Sequence, residues 1–213
     1  MRLVERDLLV LRELDRWRFC LSRHLRFLCE FSSQRTCDRR LRLLIDAGYI
    51  DRRHVLYGVP SLYFVTHKGK TLINATLKPD KFKVEQIVHD IAVLDTAIFF
   101  LMRQGVALSD IVTEKELHQQ DGFGVRQHKP DFVFARDGQR FAVEIELTPK
   151  AKPRLVKNIQ ENFMTYDGQR WIVPAVQAKI TQILEQNAEI YPGIEIVQLE
   201  EVTDFVKAQQ EKS

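Results

Sequence analysis

Three acidic side chains in the C-terminal half of the chain have a spacing that could build a metal site. Asp131, after Pro130, begins one apolar stretch, and Glu144 and Glu146 lie 13 and 15 residues later in another. Because side chains alternate along a strand, the two glutamates point to one face, and Asp131 lies near them if the stretches pair as a hairpin. Converging carboxylates repel each other unless a cation such as Mg²⁺ compensates their charge. The pattern therefore predicts Mg²⁺ ligands, although an amphipathic strand with a polar outer face explains it as well.

The chemistry that such a site would support is hydrolysis of a phosphodiester. A bound metal polarises the phosphoryl group and lowers the pKa of a water so that hydroxide can attack. Lys150 follows the second stretch and could orient that water or neutralise charge in the transition state. We therefore predict Asp131, Glu144, Glu146 and Lys150 as catalytic residues, with Asp131 and Glu144 as metal ligands.

A second group of side chains, in the N-terminal half, is suited to contact DNA. Arg35, Arg39 and Arg42 recur at helical spacing opposite an apolar stripe, and a β-rich stretch with Arg52 and Arg53 follows. Arginine binds phosphate oxygens and guanine edges, so a basic helix followed by a basic hairpin fits the major groove and its backbone. For one helix alone, a solvated basic face is the simpler interpretation. The predicted DNA-binding residues are Gln34, Arg35, Thr36, Arg39, Arg40, Arg42, Arg52 and Arg53.

The charge of the chain is divided between its two halves. Residues 1–83 carry 18 Lys and Arg against 9 Asp and Glu, whereas residues 84–213 carry 14 against 20, although the net charge is only +3. Such asymmetry is typical of a nucleic-acid-binding module joined to a second domain. A basic surface with no partner would give the same count.

The hydrophobic periodicity predicts the elements that position the basic residues. Residues 1–78 predict three short amphipathic helices, a hairpin of 49–57 and 62–66, and a final short helix. Residues 74–83 are polar and lysine-rich and predict a linker. The sequence therefore predicts two domains, 1–78 and 84–206.

The second predicted domain alternates helices and strands. Its expected elements are a long helix over 84–103, strands near 111–113, 132–135, 141–147, 171–173 and 195–199, and helices over 153–166 and 175–188. This order predicts a small α/β domain. Trp171 and Phe163 fall within apolar segments and are expected in its core.

Short motifs in each half resemble known families. Val65-Thr66-His67-Lys68-Gly69 resembles the strand end of many bacterial winged-helix regulators, which implies an N-terminal winged helix-turn-helix domain. Pro130-Asp131, a turn and Glu144-Ile145-Glu146 resemble the PD-(D/E)xK nuclease superfamily, which implies a restriction-endonuclease-like α/β domain. Glu146 stands where that superfamily usually has lysine. Candidates for a migrated lysine are Lys150, Lys152 and Lys157.

The whole chain resembles the replication-relaxation family of plasmid and integrative-element proteins. The resemblance is carried by the run from Val143 to Thr148 and by that from Arg170 to Pro174. It implies a DNA-binding accessory role in mobile-element replication or conjugative transfer, with relaxase or replication proteins as partners and a homodimer allowed. It also implies His89, early on the long helix, as a site residue, and the resemblance to nuclease folds implies Glu85, one turn earlier, as a helix carboxylate and metal ligand. Surface or packing roles fit each residue equally.

Other features limit the alternatives. The sequence lacks an unbroken apolar segment of the kind that forms a signal peptide or membrane span. We therefore expect a cytoplasmic protein without a membrane partner. Cys20, Cys29 and Cys37 lack CxxC spacing and occupy apolar helical positions, so we expect them in the core. Whether the second domain cleaves DNA stays open. The alternative is a transcriptional regulator or protein-assembly adaptor whose nuclease-like domain is inert.

Overall fold

A computed structural model describes residues 2–77, 83–120, 128–149 and 151–211. The fold is mixed α/β, as predicted, and divides into two compact units. The first unit is Met1–Leu94 with Lys207–Ser213, and the second is Asp95–Val206. Lys150 and part of the predicted linker lie outside the described residues.

The first unit contains helices followed by a small antiparallel sheet. Its elements are α1 (Glu5–Arg16), β1 (Cys20–Leu21), α2 (Ser22–Leu28), α3 (Gln34–Asp46), β2 (Ile50–Arg53), β3 (Leu62–Val65) and α4 (His67–Leu72). The strand order is β1-β3-β2, and both pairs are antiparallel. The sequence did not predict β1, because two residues are too few to show a period of two.

Helix α3 has clear signals at both ends. The Ser33 hydroxyl oxygen accepts a hydrogen bond from the Thr36 amide at 3.2 Å, which satisfies a backbone donor of the first turn. At the other end Gly48 has φ +74°, and its amide donates to Ile45 while the Tyr49 amide donates to Leu44. This is the Schellman arrangement that glycine favours, and it ends the helix two residues before Gly48.

Helix α4 begins at a point where two backbone segments come close together. Thr66 caps it, because its hydroxyl accepts from the Gly69 amide at 3.2 Å and also donates to the Tyr49 carbonyl at 3.0 Å. A Cβ added at Gly69 would lie 2.3 Å from that same carbonyl oxygen and 2.7 Å from Val65 Cγ2. Only glycine therefore fits this position.

The second unit is built on a five-stranded sheet. The helices and strands from residue 87 onwards are α5 (Ile87–Gln104), β4 (Ile111–Thr113), α6 (Glu114–Gln119), β5 (Phe132–Arg136), β6 (Gln139–Ile145), α7 (Lys152–Thr165), β7 (Gly168–Val173), α8 (Ala178–Ala188), β8 (Ile194–Gln198) and α9 (Leu199–Glu211). The unit boundaries fall within α5 and α9. No helix in the described ranges is long and apolar enough to cross a membrane.

The sheet combines antiparallel and parallel pairs. Its order is β4-β5-β6-β7-β8, with β4, β5 and β6 antiparallel and with β7 and β8 added in parallel. Strands β5 and β6 form the predicted hairpin, and its turn residues Asp137 and Gly138 have φ values of +53° and +77°. Such positive values suit a two-residue hairpin turn.

The core of the second unit confirms one predicted core aromatic and corrects the other. Trp171 is fully buried and packs in a cluster with side chains of α7 and α8. Phe163 is 38% exposed, so its predicted core position is wrong. It lies on α7 near the surface, where its ring meets that of Tyr191 at a centroid distance of 5.4 Å.

All three cysteines are buried and unbonded, as predicted. Burial raises the pKa of Cys37 to about 12, and it raises the pKa values of Cys20 and Cys29 as well. The thiols therefore stay protonated at neutral pH, where a cysteine behaves as a small apolar side chain.

We expect Gly69→Ala to lower the free energy of unfolding of the first unit by more than about 2 kcal/mol, because the added methyl group meets backbone that cannot rotate away. Urea denaturation followed by circular dichroism and tryptophan fluorescence measures this. His67→Ala, at an exposed position of the same helix, is the matched control and should change it by less than about 0.5 kcal/mol. Equal losses in the two variants would contradict the close-approach explanation.

Candidate functional site

The arginine face of α3 is open to solvent. Arg35, Arg39 and Arg42 are all exposed on this helix. The opposite face is dry, because Cys37 and Leu41 are fully buried there. The predicted stripe of three guanidinium groups is therefore available to a ligand.

Two other predicted contact residues begin the same helix. Thr36 is exposed, and its hydroxyl lies 3.0 Å from that of the N-cap residue Ser33. Gln34 is half-buried, and its amide nitrogen donates to Asp38 Oδ1 at 2.9 Å and also to the Ser22 hydroxyl. Gln34 thus joins α3 to the start of α2, whereas Thr36 faces solvent.

Arg40 differs from its arginine neighbours because it has a buried partner. Its Nε donates to Asp7 Oδ1 at 2.6 Å, and its Nη2 donates to Asp7 Oδ2. Asp7 is fully buried, whereas the Arg40 side chain is 22% exposed. The hydrogen bond to Asp7 raises the pKa of Arg40. Arg40 therefore fastens α3 to the first turn of α1.

The basic residues of the hairpin strand are exposed as well. Arg52 and Arg53 end β2, and both are solvent-exposed. Arg53 Nε lies 2.7 Å from Asp51 Oδ2, and its guanidinium carbon lies 5.3 Å from the centre of the Phe64 ring. These contacts orient Arg53 without burying its charge.

In the second unit, Asp131 and Glu144 come together as predicted. Phe132 pairs with Val143 across the antiparallel strands. Asp131 precedes Phe132 and Glu144 follows Val143, so these two residues lie side by side just beyond that pair. Asp131 Oδ2 accepts a hydrogen bond of 2.7 Å from the Ile145 amide, which holds this carboxylate beside β6. The two predicted metal ligands of this unit are therefore neighbours, Asp131 directly before β5 and Glu144 in β6.

Glu144 is a buried carboxylate held by two side chains. It is 3% exposed, and its Oε1 accepts a hydrogen bond of 2.8 Å from Asn162 Nδ2. The same oxygen lies 2.5 Å from His128 Nε2. Burial raises the pKa of Glu144, and the charge of Asp131 adds to this, while the bonds to His128 and Asn162 act in the opposite direction.

His128 completes a charged pair with Glu144. Burial lowers its pKa, but the hydrogen bond to Glu144 and the negative charges of Glu144, Glu161 and Asp131 together outweigh burial and raise it. A raised pKa favours the imidazolium form at neutral pH. A histidine so placed can exchange a proton with a bound group, and its charge can also attract a phosphate.

Glu146 is not on a solvent-exposed outer face. It is 2% exposed, and its amide donates to the Ile172 carbonyl at 2.9 Å, so the chain still follows β7 beyond the end of β6. Because Glu144 is buried too, the alternative interpretation of the two glutamates as a polar outer face is wrong.

Glu85 is exposed in a 3₁₀ turn of the first unit, ahead of α5 rather than on it. Lys150 lies outside the described residues.

The sequence analysis missed His128, Asn162 and Glu161. His128 lies three residues before Asp131, and Asn162 stands among the buried positions Leu155 and Ile159 of α7. An asparagine on the dry face of an amphipathic helix was the available signal, because a buried amide needs a hydrogen-bonding partner.

The donor set fits Mg²⁺ only in part. Asp131 and Glu144 supply the oxygen ligands that this ion prefers. The neighbours of Glu144 are an imidazole and an amide N–H, which are not ligands of this kind. Among the described residues, no three His, Cys, Asp or Glu side chains are grouped so that they could hold a metal ion. Mg²⁺ binding therefore stays a prediction.

Comparisons with known proteins add no identification. No model of a known protein family matches the chain, and no curated protein sequence matches it. The assignment of function therefore rests on the residues and their geometry.

We expect Asn162→Asp to destabilise the second unit by about 2–3 kcal/mol at neutral pH, because a donor to buried Glu144 becomes a repelling carboxylate of the same shape. Adding Glu144→Gln should recover most of the loss, since the new amide can donate to the aspartate. Thermal and urea denaturation of the two single variants and the double variant measure this coupling. Additive losses in the double variant would contradict it.

Proposed function

We propose that this protein binds double-stranded DNA through the exposed arginine face of α3 and the β2–β3 hairpin. The main observation behind this proposal is that Arg35, Arg39 and Arg42 are exposed together on a helix whose opposite face is buried. Arginine forks at this spacing match phosphate oxygens and guanine edges in the major groove. Arg52 and Arg53 extend the positive surface onto the hairpin, which would follow the sugar-phosphate backbone.

The connectivity of the first unit supports a winged helix-turn-helix fold. Helices α1, α2 and α3 are followed by the β2–β3 hairpin, and β1 closes the sheet against β3. In such domains the third helix enters the major groove. Together with the resemblance to the replication-relaxation family, this supports an accessory role in replication or transfer of mobile-element DNA, with relaxase or replication proteins as partners.

We expect Arg35→Ala combined with Arg39→Ala to weaken binding to duplex DNA at least tenfold at low salt. The slope of log affinity against log salt should also fall by about 2, because each lost phosphate contact releases about one counterion fewer. Fluorescence anisotropy with labelled duplexes over a range of salt concentrations measures both quantities.

A matched control removes two positive charges elsewhere. Arg136→Ala combined with Lys179→Ala replaces two exposed residues of the second unit and lowers the net charge by the same amount. This control should change the affinity by less than about twofold and should leave the slope of log affinity against log salt unchanged. If both double variants weaken binding equally, general charge and not the α3 face drives the association, and the proposed docking is wrong.

A second candidate function is metal-dependent DNA cleavage by the second unit. The observation that favours it is the position of Asp131, directly before β5, beside Glu144 of β6, with the charge of Asp131 acting on Glu144. The α7 crossover between parallel β6 and β7 supports a restriction-endonuclease-like α/β core. The alternative is a regulator or adaptor in which this domain is inert.

If the second unit cleaves DNA, incubation with supercoiled plasmid and Mg²⁺ or Mn²⁺ should yield nicked or linear product. Glu144→Gln should reduce that rate at least a hundredfold, because it removes the carboxylate charge while keeping the shape of the side chain. Circular dichroism and DNA affinity of the variant serve as controls for folding. Binding without cleavage would favour the inert alternative and leave the DNA-binding proposal intact.

A further inference from the structure

The tip of the β2–β3 hairpin carries an aromatic side chain almost entirely in solvent. Tyr57 is 98% exposed, whereas Tyr63 on β3 is 8% exposed and the other three tyrosines are at least partly buried. An exposed aromatic ring gives up the apolar burial that normally stabilises such a residue. A ring in this position is therefore a contact surface available to a partner.

The backbone around Tyr57 forms a defined turn. The Val59 amide donates to the Leu56 carbonyl at 3.2 Å, so Tyr57 and Gly58 are the two central residues. Gly58 has φ +75°, and a Cβ built there would meet nothing within 4 Å. The turn thus presents the Tyr57 ring at the most open part of the hairpin.

The charge around the tip selects an anionic partner. Arg52, Arg53 and His54 are exposed just before the turn, and residues 52–70 contain no aspartate or glutamate. Exposed cations beside an accessible aromatic ring are a combination with which proteins hold unpaired bases, because phosphates pair with the cations and a base stacks on the ring. In an intact duplex the faces of the bases are already covered by their neighbours.

We propose that Tyr57 stacks on an unpaired nucleobase, so that the protein prefers duplex DNA with an unpaired or displaced base over intact duplex. The inference rests on the proposed DNA binding and adds the structural class of the DNA. Arginines of α3 anchor the duplex part, and the hairpin tip reads the disruption.

Three DNAs of equal length test the proposal: an intact duplex, the same duplex with one unpaired 2-aminopurine, and the single strand alone. The unchanged protein should bind the disrupted duplex about tenfold more tightly than the intact one and quench the 2-aminopurine on binding. Tyr57→Ala should lose the preference and the quenching while retaining affinity for intact duplex. Tyr57→Phe should retain both, because stacking needs the ring and not the hydroxyl.

Other results would overturn the inference in distinguishable ways. Equal affinity of the unchanged protein for disrupted and intact duplexes would remove the role of Tyr57 and leave the DNA-binding proposal standing. An equal loss on both duplexes in Tyr57→Ala, or a changed oligomeric state of that variant in sedimentation, would make Tyr57 a general contact or a protein contact. Absence of binding to all three DNAs would overturn the proposed function together with this inference.

Discussion

A carboxylate removed from water needs a partner, and in each unit one buried carboxylate fixes the surface or site of interest. Asp7 in the first unit is fully buried, and Arg40 supplies its charge and two hydrogen bonds. Glu144 in the second unit is 3% exposed, and His128 and Asn162 are its hydrogen-bonding partners. Because an unpaired buried charge costs several kcal/mol, loss of these contacts is expected to destabilise each unit.

Because of this constraint, one arginine of α3 has a structural role and three are exposed to solvent. Arg40 binds Asp7 and so fixes the helix to α1, Cys37 and Leu41 are buried, and Arg35, Arg39 and Arg42 share the exposed side. A helix fixed in rotation presents its arginines in one arrangement, so less conformational freedom is lost when they bind phosphate. The structural arginine thus prepares the other three for a ligand.

Much of the fold could be predicted from local pattern, but the pairing of charges could not. Periodicity predicted α3, the β5–β6 hairpin, α7 and α8, because each depends on neighbouring residues. Helices α6 and α9 were not predicted, because each buries few side chains: Leu117 in α6, and Val202 and Val206 in α9. Arg39 and Arg40 look alike in sequence, and only the fold shows that Asp7, 33 residues from Arg40, selects one of them. His128 meets Glu144 across 16 residues for the same reason.

The geometry around Glu144 separates the questions of binding and cleavage. His128 and Asn162 already donate to or contact Glu144 Oε1, so any cation that used this oxygen would have to compete with them. The contact with His128 acts on the pKa of Glu144 in the direction opposite to the charge of Asp131, so it offsets part of the repulsion between the two carboxylates. The exposed arginines of α3 belong to the other unit and rely on the Asp7 contact. The proposed DNA binding therefore does not depend on whether Glu144 takes part in catalysis.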